Sequence, residues 1–232
     1  YTIVSFLGAV QGILLSLVFL VKKKNNIAAL ALGWYLFVFS VGLLEQYVAT
    51  NFEGTWPWIL QSFLSYSNFL YGPLLYLFVY FLTVKNPRFT RANVWHFIPF
   101  LVGFSLSLIS PAFKVEPDSS GIQEVILFEL LVIQILTYNV FAILRLHRYQ
   151  RTIVQLYSDF NQQDLTWLKG WLLLITSAYV VSIAITHTLI FGWRGGEQLY
   201  VVVQLLITVS IYLMSYRLII YPTLFTFVIR ED

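Results

Sequence analysis

The sequence predicts an all-α membrane protein, a bundle of seven transmembrane helices. Three observations lead to this class. The chain of 232 residues is 59% hydrophobic and only 11% charged, whereas soluble domains carry about 25% charged residues. Seven stretches are long and apolar enough to cross the roughly 30 Å hydrocarbon layer, which takes about 20 residues. Continuous apolar runs such as GILLSLVFLV lack the alternation of a barrel strand, the other structure that can span a bilayer.

The predicted spans form one domain, 1–232, without internal repeats. A lysine cluster rather than a small-residue cleavage site follows the first span, which indicates an anchor and not a removed signal peptide. The fourth span is the weakest, because Pro99 and Pro111 bracket it. The predicted ranges are 2–21, 27–49, 57–83, 96–113, 122–146, 168–191 and 198–221.

Basic residues concentrate on one side of the predicted bundle. The connections on the other side hold only Lys114 and Arg194. Because Lys and Arg accumulate in cytoplasmic loops, we expect the N-terminus outside and the C-terminus in the cytoplasm. The basic residues of the predicted cytoplasmic side are Lys22, Lys23, Lys24, Lys85, Arg88, Arg91, Arg145, Arg148, Arg151, Lys169, Arg217 and Arg230.

The connection after the fifth span, RLHRYQRTIVQLYSDFNQQDLTW, is the longest and leaves two alternatives open. Ile153, Val154, Leu156 and Tyr157 could form the apolar stripe of an amphipathic helix on the anionic inner leaflet. Alternatively, the same residues continue the fifth span into the cytoplasm.

Familiar enzyme and cofactor chemistry has little support. The chain has no cysteine, and no lysine lies in mid-span where a retinal Schiff base would need one. The metalloprotease motif HExxH and the nucleophile elbow GxSxG are missing. The histidines, His96, His147 and His187, fall on both sides of the predicted membrane. We therefore expect no enzyme, no metal site and no cofactor.

Polar side chains concentrate in the predicted outer half of the bundle. A charge at the bilayer centre costs about 2.5–3.5 kcal/mol, and buried acids cluster at functional sites. Glu129, within VILFELLVIQIL, is the strongest candidate for a functional group. The sequence suggests an outward-facing pocket whose candidate ligand-binding residues are Glu45, Gln61, Asn68, Glu129, His187 and Gln204.

An alternative is that these groups only hold the helices together. Interhelical hydrogen bonds contribute about 0.6–2 kcal/mol each, which suffices to explain a single glutamine or serine. Glu45 and Glu124 lie close enough to the interface for plain solvation. Glu129 and Gln134 are five residues apart, hence about 140° apart on a helix, so they should not point into one small pocket.

Two glycine motifs carry structural predictions. The segment GAVQG places Gly8 and Gly12 four residues apart, which permits close helix contact within the bundle or at a homodimer seam. Pro73 lacks a backbone N–H and should kink the third span, and Gly72 beside it allows the bend. The pair is a candidate hinge.

Several motifs occur together and in order: lysines at 22–24, Tyr-Gly-Pro at 71–73, His-Phe-Ile-Pro at 96–99, Asp-Leu-Thr-Trp at 164–167 and Tyr-Pro at 221–222. In this order they resemble the seven-helix N-terminal membrane domain of AraC-type helix-turn-helix transcription regulators, typical of Bacteroidetes. The resemblance implies a receptor in the bacterial inner membrane that regulates transcription through a cytoplasmic DNA-binding domain. That domain is expected after residue 232, so these residues should make no direct nucleic-acid contact.

Two function classes follow. The first is a transmembrane sensor that binds an extracellular or membrane-borne ligand in its outer half, in contact with membrane lipid. The second is a small secondary transporter or proton-coupled carrier with Glu129 as the titrating group. A carrier needs a site that can be reached from both sides, and the one-sided distribution of acids favours the sensor.

Overall fold

The computed structural model describes residues 2–22, 26–51, 57–109, 122–156, 165–190 and 196–220. Every regular element within these ranges is helical, which confirms the all-α class for the described part of the chain. Short 3-10 turns, Asn68–Leu70 and Trp95–Phe97, precede α4 and α6. The α-helices are α1 (Thr2–Lys22), α2 (Ile27–Asn51), α3 (Trp58–Ser67), α4 (Tyr71–Leu82), α5 (Arg91–Val94), α6 (Ile98–Ile109), α7 (Ile122–Leu156), α8 (Thr166–Ile190) and α9 (Gly196–Ile220).

Four helical stretches among the described residues are long and apolar enough to cross a membrane. They are Ile27–Glu45, Arg91–Ile109, Val125–Thr152 and Thr166–His187. The described apolar cores of α1 and α9 are shorter. These helices support the prediction of a membrane protein.

The sequence explains how two of the helices, α2 and α6, begin. The side-chain oxygen of Asn26 accepts hydrogen bonds from the backbone of Ala28 at 3.0 Å and of Ala29 at 3.1 Å, and so caps α2. The first turn of α6 contains Pro99, whose missing donor is not needed there. Pro111 lies outside the described residues.

Six of the helices pack in a closed ring. α1 contacts α2 and α9, α4 contacts α2 and α7, and α8 contacts α7 and α9. α6 lies outside the ring against α3. Fully buried side chains such as Leu36, Phe78 and Leu172 fill the centre. Trp171 fastens α8 to α9, because its indole N–H donates to the carbonyl of Ser210 at 3.0 Å.

The GAVQG motif lies inside this ring. A methyl group added to Gly8 would approach the side chain of Thr208, and one added to Gly12 would meet Ser40. The two glycines therefore let α1 approach α9 and α2 closely. This is the contact within the bundle that the motif permits; the homodimer seam remains a prediction without support at these residues.

The predicted third span contains a 3-10 turn in its middle. Pro73 has no N–H to give to the carbonyl of Phe69, four residues earlier, and the 3-10 turn at Asn68–Leu70 separates α3 from α4. The side-chain amide of Gln134, on α7, donates to that carbonyl at 3.2 Å. Gly72 is buried, and its Cα faces the ring of Tyr138. The predicted irregularity is therefore present, and a side chain from another helix supports it.

α7 is longer than predicted, since it continues without interruption to Leu156. At 1.5 Å per residue, its 35 residues measure about 52 Å, which exceeds the roughly 30 Å hydrocarbon layer. The structure agrees with the second alternative for this segment, because Ile153, Val154 and Leu156 continue the helix of the fifth predicted span. Tyr157 lies outside the described residues.

Candidate functional site

A cavity of about 260 Å³ lies inside the ring, towards the end of the bundle predicted to face outward. Its walls come from α2, the 3-10 turn before α4, α4 itself, α7, α8 and α9. The lining residues are Phe39, Gly42, Leu43, Glu45, Asn68, Tyr71, Phe128, Leu131, Ile135, Tyr179, Ser182, Val203 and Ile207.

Among the described side chains, Glu45 and Asn68 are the predicted ligand-binding residues that line this cavity. Glu45 stands near the end of α2, where the hydroxyl of Ser65 donates to its Oε1 at 3.4 Å. Asn68 begins the 3-10 turn that interrupts the third predicted span. An amide and a carboxylate therefore line the same cavity.

Gly42 allows the polar side chains of Tyr71 and Asn68 to approach α2 closely. A Cβ built on Gly42 would fall on the hydroxyl of Tyr71 and lie 3.4 Å from the side-chain oxygen of Asn68. Tyr71 and Asn68 therefore both reach across to α2 at the turn that precedes Glu45. The absence of a side chain at Gly42 keeps three oxygen-bearing groups on one side of the cavity.

Glu129 and His187 form a separate pair. Nε2 of His187 lies 3.6 Å from Oε1 of Glu129, and the two side chains are 51% and 25% exposed. Oε1 of Glu129 is buried and accepts no hydrogen bond among the described groups. Neither residue lines the cavity. Glu129 and His187 join α7 to α8 outside this cavity, so the residues of the expected pocket do not all line it.

The rotation of α7 explains this division. Phe128, Leu131 and Ile135 line the cavity, and their spacing places them on one helix face. Glu129 follows Phe128 and is turned by about 100° from it. Gln134 points the other way, to the carbonyl of Phe69. Glu129 and Gln134 thus do not share a pocket, as their spacing predicted.

The other two predicted residues lie on α3 and α9. Gln61, on α3, is not among the described residues that line the cavity. Gln204 lies on α9, but its side chain is outside the described part of the structure.

Sequence reasoning missed most of the cavity. Phe39, Tyr71, Phe128 and Tyr179 contribute four aromatic rings, and Ser182 adds a hydroxyl from α8. The one available signal was the spacing of Phe128, Leu131 and Ile135, which marks a single apolar face beside an acid. Which helices face each other cannot be read from such a pattern.

A second concavity is larger and chemically different. It is an open groove of about 710 Å³ bounded by α2, α3, α4 and α6. Ser67 is its one polar lining residue among the described side chains. Binding sites use a few placed polar groups to orient a ligand, and this surface has almost none. The smaller cavity is therefore the candidate functional site.

No cluster of three or more His, Cys, Asp or Glu side chains able to hold a metal ion occurs in the described ranges. Comparison with protein-family models, with curated proteins and with solved structures finds no match for this chain. The candidate site is thus interpreted from its own residues.

Proposed function

We propose that this chain is the membrane-embedded receiving domain of a transmembrane sensor, and that its ligand binds in the cavity of about 260 Å³. The observation that carries the proposal is the composition of that cavity. A carboxylate, an amide and hydroxyl groups share a space otherwise walled by apolar and aromatic side chains. This combination is typical of small-molecule sites.

The proposal includes seven spans, with the N-terminus outside and the C-terminus in the cytoplasm of a bacterial inner membrane. The helix pairs α3–α4 and α5–α6 each supply one span, and the other five helices supply one each. The support is the charge distribution, since twelve of the fourteen basic residues lie on alternate connections. The cavity then opens towards the outer half.

Topology reporters test this arrangement. We expect a cytoplasm-active reporter joined after Asp232 to be active, and the same reporter joined after Lys114 to be inactive. Alkaline phosphatase, which matures in the periplasm, should show the reverse pattern. Phosphatase activity after Asp232 would overturn the proposed orientation.

Contacts between helices offer a route from the cavity to the opposite end of the bundle. α7 lines the cavity and continues to Arg145, whose Nε donates to the hydroxyl of Thr83 at 2.9 Å. The guanidinium carbon of Arg145 also lies 4.3 Å from the ring centre of Tyr80. α4 and α7 are thereby joined at both ends, so a ligand that changes their packing at the cavity would move both at the cytoplasmic end.

The output proposed for this movement is a cytoplasmic helix-turn-helix domain of the AraC type, with contact to DNA made by that domain alone. The ordered motifs given above support this output. A ligand that binds one packing of the ring more tightly would shift the equilibrium towards it and so reposition the attached domains.

Spin-label distances test the sensor proposal without a known ligand. The chain contains no cysteine, so labels can be placed at Leu144→Cys on α7 and Tyr216→Cys on α9, both exposed. Ser182 lines the cavity, so Ser182→Leu fills it in place of a ligand. We expect the distance distribution at the far end to shift, measured by double electron–electron resonance in lipid nanodiscs.

Ser177→Leu is the matched control. Both serines lie on α8 and donate to its own backbone, Ser182 to Ala178 and Ser177 to Leu174, but Ser177 is exposed on the outer surface of the ring. Its replacement should leave the distances unchanged. Identical distributions for Ser182→Leu and the parent would contradict the proposed coupling.

One observation favours the carrier as a second candidate. The 3-10 turn within the third span borders the cavity through Asn68, and transporters commonly build their sites where a spanning helix is irregular. Glu129, however, lies outside the cavity. A carrier would acidify vesicles loaded with a pH-sensitive dye, and Glu129→Gln would abolish that flux, whereas a sensor would move no protons.

A further inference from the structure

We propose that the ligand of the cavity is a small organic cation, an ammonium group carried on an apolar body. This inference rests on the proposed function, because it names the class of ligand for the same site. Three features of the lining residues carry it: an acid with no basic partner among the described residues, a surround of aromatic rings and an excess of oxygen acceptors.

Glu45 is the only charged residue among the described residues that line the cavity. Within the described part of the chain its hydrogen-bond partner is the hydroxyl of Ser65, at a long 3.4 Å, and the contact seen there between an acidic and a basic side chain joins Glu129 to His187 instead. A carboxylate in a low-dielectric environment is costly unless a cation accompanies it. An ammonium ligand supplies that cation.

Aromatic rings from four different helices line the same cavity as this acid. Phe39, Tyr71, Phe128 and Tyr179 come from α2, α4, α7 and α8. The rings of Phe39 and Tyr71 are in contact, with centroids 5.0 Å apart and planes inclined by 49°. The faces of such rings attract ammonium groups, and the attraction grows when water is excluded.

The remaining polar groups of the lining are rich in acceptors. Tyr71, Tyr179 and Ser182 offer hydroxyl oxygens and Asn68 an amide oxygen. No lysine, arginine or histidine is among the described lining residues, so an anionic ligand would find no opposite charge. An ammonium group, which only donates hydrogen bonds, complements this arrangement.

The apolar lining residues indicate the chemical nature of the ligand's body, apart from its ammonium group. Leu43, Leu131, Ile135, Val203 and Ile207 are apolar. The volume of about 260 Å³ is below the roughly 300–1,000 Å³ of pockets for drug-sized ligands. The body is therefore small and carries an alkyl chain or a single ring.

Three probes that differ only in their polar group test the inference: 2-phenylethylamine, 2-phenylethanol and 3-phenylpropionate. Binding to the purified full chain in detergent micelles would be measured from the dose-dependent rise of the unfolding midpoint. We expect the amine to bind about tenfold more tightly than the alcohol, since ion pairing and ring contacts act together. The carboxylate should not bind.

Two variants assign the preference to the cavity. Glu45→Gln should make the amine and the alcohol bind equally, and Phe128→Leu should weaken the amine more than the alcohol. Glu129→Gln, the matched control on the neighbouring acid, should retain the preference. Equal binding of amine and alcohol to the parent, or loss of the preference in Glu129→Gln instead of Glu45→Gln, would overturn the ammonium inference.

The sensor proposal is judged separately. If the alcohol binds as well as the amine and Ser182→Leu blocks both, the cavity is a ligand site and only the ligand class is wrong. The spin-label distances, which need no ligand, decide whether the cavity is coupled to the far end of the bundle.

Discussion

Replacing Gly72 with alanine is expected to destabilise the bundle, whereas the same replacement at Gly170 is expected to stabilise it. A Cβ on Gly72 would lie 2.8 Å from Cδ2 and 3.2 Å from Cβ of Tyr138. Both atoms lie near the base of a ring that also bonds to His96 through its hydroxyl, at 3.0 Å. The ring cannot simply turn away, so α4 and α7 must separate.

The two replacements should change the free energy of unfolding in opposite directions. Overpacking costs about 1–3 kcal/mol, while alanine in place of an unconstrained helical glycine contributes about 0.5–1 kcal/mol of stability. Nothing lies within 4 Å of a Cβ built on Gly170, in α8. The measurement is the unfolding midpoint of each purified variant in the same detergent.

A third variant identifies the cause. Tyr138→Ala removes the ring, so adding Gly72→Ala to it should cost little or nothing. If Gly72→Ala alone stabilised the protein as much as Gly170→Ala, the close approach of α4 to α7 would be wrong. Such a result would also leave the flexibility of a hinge as the remaining role of Gly72.

The second large effect concerns the 3-10 turn at Asn68–Leu70, which precedes α4. Gln134→Leu should lower stability by about 0.6–2 kcal/mol, the range of polar contacts between membrane helices. Its amide is the described side-chain donor to the carbonyl of Phe69. With leucine in its place, that carbonyl lies in an apolar environment without this donor, which is costly.

Pro73→Ala should remove most of that cost. An alanine at position 73 has an N–H that can bond to Phe69, four residues earlier. The loss caused by Gln134→Leu should therefore be smaller in the Pro73→Ala background, and the double-mutant cycle should show coupling of about 0.5–2 kcal/mol. Thr137→Leu, at an exposed position of α7, is the control and should show no coupling. If the effects of Gln134→Leu and Pro73→Ala on stability were additive, this explanation would be contradicted.

The sequence was most informative about helix positions. Long apolar runs bounded by charged or turn residues predicted helices at 2–21 and 168–191, and α1 and α8 match these ranges to within two residues. It also predicted an irregularity at Pro73, because a missing N–H is a local property. The extension of α7 to Leu156 was left open, since basic residues such as Arg148 and Arg151 suit a cytoplasmic helix as well as a membrane surface.

The site was less predictable, because it depends on how each helix is rotated within the ring. Glu45 and Asn68 face one cavity, whereas Glu129 faces His187. One residue earlier on the same helix, Phe128 lines the cavity. A step of about 100° along α7 separates the two environments, and no local pattern determines which face is turned inward. Contacts between distant helices determine it.

The closure of the ring has a consequence for how the protein is made. Gly8 on α1 packs against Thr208 on α9, two hundred positions later in the chain. During synthesis, α1 enters the membrane long before α9 exists. Gly8 therefore cannot contact Thr208 until the intervening helices have inserted. The ring therefore closes late, and contacts of such long sequence separation slow assembly.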